Sequence, residues 1–208
     1  MDDLPTRLAH HLAQPLPAGA AWSRFAPELT YGRHSGPREH DAQQAAVIAL
    51  LFPEKDDWVI PLTLRPSHMA AHAGQVCLPG GVLEPNESHE QAAIRELREE
   101  LATCPDDLQI LGRLSPIYVF GTNFYVSPFV AATKSRPSFQ PNPHEVEEVV
   151  ELPLSVLCDR RNHGSHAISR GPLCFQVPHI LCNGHRIWGA TSMMLAELMM
   201  VVSAAQRK

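Results

Sequence analysis

A chain of 208 residues, 44% hydrophobic and 19% charged, has the size and composition of one globular domain with elaborations. Its formal net charge of −5 excludes a protein whose main business is gripping nucleic acid, which needs a basic stripe, but leaves room for a small phosphorylated ligand. Cys77, Cys104, Cys158, Cys174 and Cys182 are odd in number and form no CxxC pair, which excludes a disulfide framework and a thiolate zinc site and leaves reduced thiols.

In chain order, residues 2–12 suit a short amphipathic helix that Pro15 and Pro17 would end. Residues 18–44 mix Gly, Pro, His and charge without a period and read as a long surface connection. Two apolar runs, 45–52 and 58–64, flank residues 53–57 and predict a hairpin with a five-residue loop. Residues 75–78 form another short extended piece, closed by Pro79-Gly80-Gly81. From Ser88 to Ala102 the period changes: Ala92, Ala93, Leu97 and Leu101 recur at helical spacing. Ser88 is the favoured N-cap, with Asn86 and Glu87 competing, and Pro105 marks the stop.

Strands are expected again over 108–119 and 124–132, followed by a charged stretch over 144–151. Residues 173–181 and 185–188 predict a second hairpin around the turn dipeptide Asn183-Gly184. The Met-, Leu- and Ala-rich segment 191–205 predicts a C-terminal helix packed on the sheet. No signal peptide is visible, and the longest apolar stretches, 45–52 and 193–205, are too short or interrupted to cross a bilayer. A cytoplasmic protein with no membrane contact is expected. The fold class is α/β (α+β), a mixed sheet with helices on both faces.

Glu96, Glu99 and Glu100, at i, i+3 and i+4, lie along one side of the predicted helix. Like charges at that spacing repel unless something positive is bound, and a hard divalent cation such as Mg²⁺ takes oxygen ligands of this kind. The bland alternative is a solvated helix face in which Arg95 and Arg98 supply the neutralising charge. The loop in front of the helix favours the metal. Gly80-Gly81 lets the backbone approach a ligand closely, and this loop feeds the helix whose acids need a partner.

The segment from Gly81 resembles the Nudix hydrolase box, G-x5-E-x7-R-E-U-x-E-E-x-G-U, where U is a bulky aliphatic residue. It reads Gly81, Glu87, then Arg95-Glu96-Leu97-Arg98-Glu99-Glu100-Leu101-Ala102-Thr103, so seven of nine fixed positions fit. Ala102 stands where the family has Gly, and Thr103 where it has an aliphatic residue. The resemblance implies a Nudix-like mixed sheet sandwiched between helices and a Mg²⁺ or Mn²⁺ ion held by Glu96, Glu99, Glu100 and the Gly80 carbonyl. It also implies that Arg95 pairs with Glu87 to hold loop against helix. The expected chemistry is hydrolysis of a phosphoanhydride, with Glu99, Glu100, Arg95 and Glu145 in catalytic roles. Glu100, Glu145 and Glu147 all stand as candidates for the general base, and 144–151 as a solvated strand edge is the competing reading.

Upstream, residues 61–81 resemble the signature of the coenzyme A pyrophosphatase branch, L-L-T-x-R-[S/A]-x3-R-x3-G-x3-F-P-G-G. Leu62, Thr63, Arg65, Gly74, Pro79, Gly80 and Gly81 fit, whereas Pro61, Pro66, Ala70 and Leu78 depart. Ala70 removes an arginine suited to a phosphate. The segments 124–130, 142–146 and 187–191 also resemble this branch, so the likeness covers about residues 45–200. It implies a small-molecule diphosphate substrate bound through Arg65, His68, His72, Gly74, Gly80 and Gly81. That substrate would be coenzyme A or a derivative, cut to 3′,5′-ADP and a 4′-phosphopantetheine product. The alternatives are a diphosphatase for ADP-ribose, NADH or a dinucleotide, and a non-catalytic nucleotide or acyl-coenzyme A sensing module. The expected organisation is an N-terminal extension over 1–44 and a catalytic domain over 45–208; a homodimer is compatible with it.

Overall fold

A computed structural model describes residues 3–28, 40–68 and 72–207. Strand β1 (Gln43–Glu54) is the axis of the molecule, joined antiparallel to β2 (Asp57–Leu64) at its far end. The expected five-residue loop contracts to Lys55-Asp56, because Lys55 accepts φ +55° and both strands run on into the turn. Residues 45–47 of β1 pair antiparallel with β4 (Gly80–Val82). The opposite edge of β1 runs parallel to β7 (Phe124–Ala132) from Gln43 to Leu51. Gly80-Gly81 is therefore part of a strand and not simply a closing turn. A Cβ at Gly80 would collide with the Ala46 carbonyl and the Val47 backbone, so glycine permits this pairing.

Two further strands, β5 (Gln109–Arg113) and β6 (Ile117–Val119), both pair with β7. The single strand expected over 108–119 is broken just after Leu114, whose N–H still donates to the Pro128 carbonyl of β7: the Ser115 N–H turns to Glu197, and Pro116 has no N–H to give. On the other flank β2 carries β3 (Val76–Cys77) and β8 (Glu148–Pro153). Residues 144–147, expected with the charged stretch, lie ahead of the strand.

Successive residues of a strand face opposite sides, and β1 is buried on both. Ala46, Ile48 and Leu50 pack under helix α3 (His89–Leu101) through Ala92, Ala93, Leu97 and Leu101. Ala45, Ala49 and Leu51 face the larger core, which holds helices α1 (Leu4–Leu12) and α5 (Ala190–Gln206). Most of α5 is buried, as expected for a helix apolar nearly all round.

The surface connection expected over 18–44 is partly corrected. Residues 18–26 form the short helix α2 (Gly19–Trp22) and a turn, with Trp22 and Phe25 in the main core. Two aromatic anchors bury this segment without needing a period; residues 29–39 lie outside the described part. Also unforeseen are α4 (Leu154–Cys158) and strand β9 (His163–Arg170), which joins β10 (Leu173–Cys182) and β11 (His185–Trp188) in a separate three-stranded sheet. The sequence of β9, HGSHAISR, lacks an apolar alternation, and the pairing with β10 supplies its order. All five cysteines are free thiols. Among the described residues, no helix is long and apolar enough to cross a membrane.

Candidate active site

Helix α3 begins with a capping box. The Ser88 hydroxyl accepts from the Gln91 N–H, and the Gln91 side chain accepts from the Ser88 N–H. It ends on Ala102 in the left-handed region, at φ +49° and ψ +34°, the backbone that the glycine of the family pattern would adopt without strain. Between these caps the helix turns Glu96 and Glu100 toward a cavity of about 770 Å³ whose rim also carries Arg65, His72, Gly80, Gly81 and Glu145.

Glu100 is almost completely buried, at 2% exposure. The Thr63 hydroxyl donates to its Oε2 at 3.4 Å, and Arg65 Nη1 stands 3.5 Å from its Oε1. Burial pushes the Glu100 carboxyl up to about 8; Arg65 opposes the shift, while the charges of Glu96 and Glu145 add to it. Glu96 is also pushed above the usual carboxylate range, first by burial, with Arg95 opposing and Glu99 and Glu145 adding. A Cβ at Gly81 would overlap the Glu96 carboxylate, so the missing side chain makes the seat for that group.

Arg95 braces the arrangement from outside the cavity. Its guanidinium donates to Glu87 at 2.9 and 3.1 Å, to Glu96 at 2.8 Å, to Glu99 at 2.9 Å and to the Val82 carbonyl at 3.0 Å. The Glu87 bond, ahead of the others, holds the Arg95 pKa above its ordinary value, and Arg95 in turn holds Glu87 low. Loop and helix are thus pinned together by one planar donor set.

Of the residues singled out in the sequence, Arg65, His72, Gly80, Gly81, Glu96, Glu100 and Glu145 share the cavity. Glu99 stands on the helix surface, paired to Arg95. His72 Nδ1 is 2.9 Å from Gln75 Oε1. His68, Gly74 and Glu147 are exposed and away from the cavity lining; the Glu147 N–H donates to the Leu64 carbonyl. Ala70 lies outside the described residues. Among those described, no three acidic, histidine or cysteine side chains close around one point. The donors at the cavity floor nevertheless fit a hard divalent ion. They are all oxygen: Glu100 is buried, Glu96 is half-buried, and the charge of Glu96 raises the proton affinity of Glu100, a repulsion that a bound cation would relieve. Sequence reasoning missed Phe120, Leu173 and Phe175, which also line the cavity, because no spacing rule links those segments to the helix.

Residues 42–170 match the NUDIX domain. The chain is 30% identical over 165 residues to an uncharacterized Nudix hydrolase, NudL, of Pectobacterium atrosepticum, covering 79% of this chain and 85% of that one. It is 33% identical over 152 residues to the human mitochondrial coenzyme A diphosphatase NUDT8, covering 71% of this chain and 64% of the human protein. The fold is similar to that of a solved Nudix hydrolase of M. smegmatis, RenU, with TM-score 0.56 and 16% identity over 88% of this chain and 96% of that one. The chain belongs to the Nudix hydrolase superfamily, and within it resembles the coenzyme A pyrophosphatase branch.

Proposed function

We propose that the protein hydrolyses the phosphoanhydride of coenzyme A or a coenzyme A derivative, giving 3′,5′-ADP and a 4′-phosphopantetheine product. The observation that carries this reading is the meeting of the two motifs at one acid, where Thr63 and Arg65 of the upstream signature both reach Glu100 of the Nudix box. The likeness to NUDT8 supports the choice of coenzyme A among diphosphates.

Glu96 and Glu100 would hold Mg²⁺ or Mn²⁺, with the Gly80 carbonyl as a further oxygen and Glu99 completing the set if Arg95 lets it turn inward. A bound divalent ion would polarise the phosphoryl oxygens and lower the pKa of a water. Gly80 and Gly81 leave the loop backbone bare enough for a diphosphate to lie against it. Arg65, on the same rim, matches a phosphate oxygen pair. Water adds to phosphorus, the bridging P–O bond breaks, and the water proton passes to a carboxylate. Glu145, which lines the cavity near Glu96 and Glu100, is our choice for that base. Glu100 is buried and paired with Arg65, which suits it better to holding the ion.

The test is incubation with Mg²⁺ and a panel of coenzyme A, ADP-ribose, NADH and diadenosine polyphosphates, with products identified by mass spectrometry. Coenzyme A should yield 3′,5′-ADP and phosphopantetheine, and Glu100→Gln should lose the activity by orders of magnitude. Turnover of another member of the panel alone would overturn the substrate. Full activity in Glu100→Gln would overturn the mechanism.

A further inference from the structure

The turn ahead of β3 carries a strain that its shape does not require. His72 lies in the left-handed region at φ +57°, and the turn closes where the Gln75 N–H donates to the His72 carbonyl at 3.0 Å. Glycine would take that backbone freely, whereas a residue with a Cβ loses about 1–2 kcal/mol there. Histidine at this place is explained by its ring and not by its backbone.

The ring is fixed at one nitrogen. His72 Nδ1 lies 2.9 Å from Gln75 Oε1. A carbonyl oxygen only accepts, so Nδ1 keeps its hydrogen and Nε2 becomes the atom that gains or loses a proton. Nε2 has no hydrogen-bond partner among the described residues. The turn is also stitched to Arg65: the Arg65 N–H donates to the Gln75 carbonyl and the Gly74 N–H to the Arg65 carbonyl, both at 3.0 Å.

Arg65 and His72 are the only side chains in the described cavity lining that can carry positive charge; the other titratable groups there are Cys77, Glu96, Glu100 and Glu145. A diphosphate brings more than one negative charge, and Arg65 already stands 3.5 Å from Glu100. A neutral imidazole adds no charge to meet the remainder, whereas an imidazolium adds a charge-assisted N–H. Imidazole changes charge between about pH 5 and 8, so an arriving anion can itself draw the proton in.

We propose that binding of the diphosphate is coupled to uptake of one proton at His72 Nε2, which then donates to a phosphate oxygen, and that Gln75 is the positioning residue that keeps Nε2 as the nitrogen presented. This rests on the diphosphatase reading and adds a regulation of that site by pH: with the divalent ion saturating, substrate binds more tightly as pH falls from about 8 toward 6. The proton comes from solvent and returns there when the product leaves.

The test reads histidine ring nitrogens by ¹⁵N NMR on the full chain, the His72 signal being the one lost in His72→Asn. Coenzyme A is the probe, with saturating Ca²⁺ in place of Mg²⁺ to slow turnover, and calorimetry in buffers of different ionisation enthalpy counts the protons taken up. At about pH 8 the free ring should be the Nδ1–H form, and coenzyme A should convert it to imidazolium. His72→Asn, which tolerates the left-handed backbone, should weaken coenzyme A about tenfold and take up to about one proton from the uptake. Gln75→Glu should carry tight binding about one pH unit further into alkali, and Gln75→Leu should weaken binding and let both neutral tautomers appear. A purely structural Gln75 would weaken binding in both variants and leave that alkaline limit in place. An Nε2–H tautomer in the free ring, a ring that stays neutral with coenzyme A bound, or unchanged proton uptake in His72→Asn overturns the proposal. If coenzyme A does not bind, inorganic pyrophosphate replaces it, and a ring left neutral by both overturns the proposal. Turnover is then measured with Mg²⁺. Proton uptake at His72 without cleavage would sink the diphosphatase reading and leave the coupling standing; cleavage with a neutral ring would do the reverse.

Discussion

Glu197 is the one acid in α5, and its side chain is fully buried among methionines, leucines and valines. Three donors converge on it: the Ala18 N–H at 2.7 Å and the Ser115 hydroxyl at 2.8 Å reach Oε1, and the Ser115 N–H reaches Oε2 at 2.8 Å. The residue thus ties the segment leading into α2 and the β5–β6 connection to the C-terminal helix. Glu197→Gln keeps the shape but replaces one acceptor with an NH₂ group. Whichever way the amide turns, it sets a donor against a buried donor. One hydrogen bond to a charged group is worth about 1.5–3 kcal/mol, and a buried N–H left unpaired costs about 1–3 kcal/mol. Relief from burying a charge offsets part of this. A net loss of about 2–4 kcal/mol is expected, a large share of the roughly 5–15 kcal/mol that holds a domain. At about 2–4 °C per kcal/mol for a chain of this size, the melting temperature should fall by about 5–15 °C. Thermal and urea unfolding by circular dichroism would read this, with Ser115→Ala as a milder companion. A Glu197→Gln melting temperature within about 2 °C of the unmodified protein would refute the reasoning and show that the three bonds do not couple the N-terminal segment to the core.

Ala102→Gly should raise stability by about 0.5–1 kcal/mol in urea unfolding. The left-handed backbone costs a non-glycine residue about 1–2 kcal/mol, and the extra freedom of glycine in the unfolded chain returns part of it; a destabilised variant would mean that the Ala102 methyl makes a contact worth more than the strain. Arg65→Ala should raise KM by about 10- to 100-fold, the worth of one charge-assisted contact to phosphate, with a smaller change in Mg²⁺ affinity by calorimetry. Equal losses of both would point to a role in folding. For pH, burial keeps the Glu100 carboxyl protonated in the folded chain up to about 8, against 4.5 for an ordinary glutamate. Its contribution to metal-free stability is therefore present below pH 4.5 and is lost as pH rises through about 8. Mg²⁺ needs the ionised form, so the Mg²⁺-induced rise in melting temperature should be larger at pH 8.5 than at pH 6. A rise independent of pH would remove Glu100 from the binding set.

Much of this fold could be read from the chain because its signals are local. The Ser88 cap, the 3.6-residue period of α3, the Asn183-Gly184 turn and the apolar run of β1 each depend on neighbours in sequence, and each lies where expected. The failures are non-local. Strand β9 has no apolar alternation and is ordered by its partner β10, while Trp22 and Phe25 are buried by elements far along the chain. The cavity shows the same division. The acids and Arg65 follow from motif spacing, whereas Phe120, Leu173 and Phe175 reach the cavity from segments distant in sequence and have no sequence signature.

The three acids of α3 also show what spacing alone leaves undecided. At about 100° per residue, the buried stripe through Leu97 and Leu101 is centred about 80° from Glu100, about 120° from Glu96 and about 180° from Glu99. Side-chain exposures of 3%, 15% and 51% follow that order. The helix therefore does not present three equivalent ligands. It drives one carboxyl into the protein, where burial governs its proton affinity, sets a second against the bare backbone of Gly81, and leaves the third to Arg95 in solvent. Since Arg95 grips Glu96 and Glu99 together, any ion that draws both inward must loosen that guanidinium from at least one of them. Its bonds to Glu87 and the Val82 carbonyl would still hold the loop against the helix while this happens. The bracing of the site and the loading of the site are in this way assigned to different bonds of one side chain.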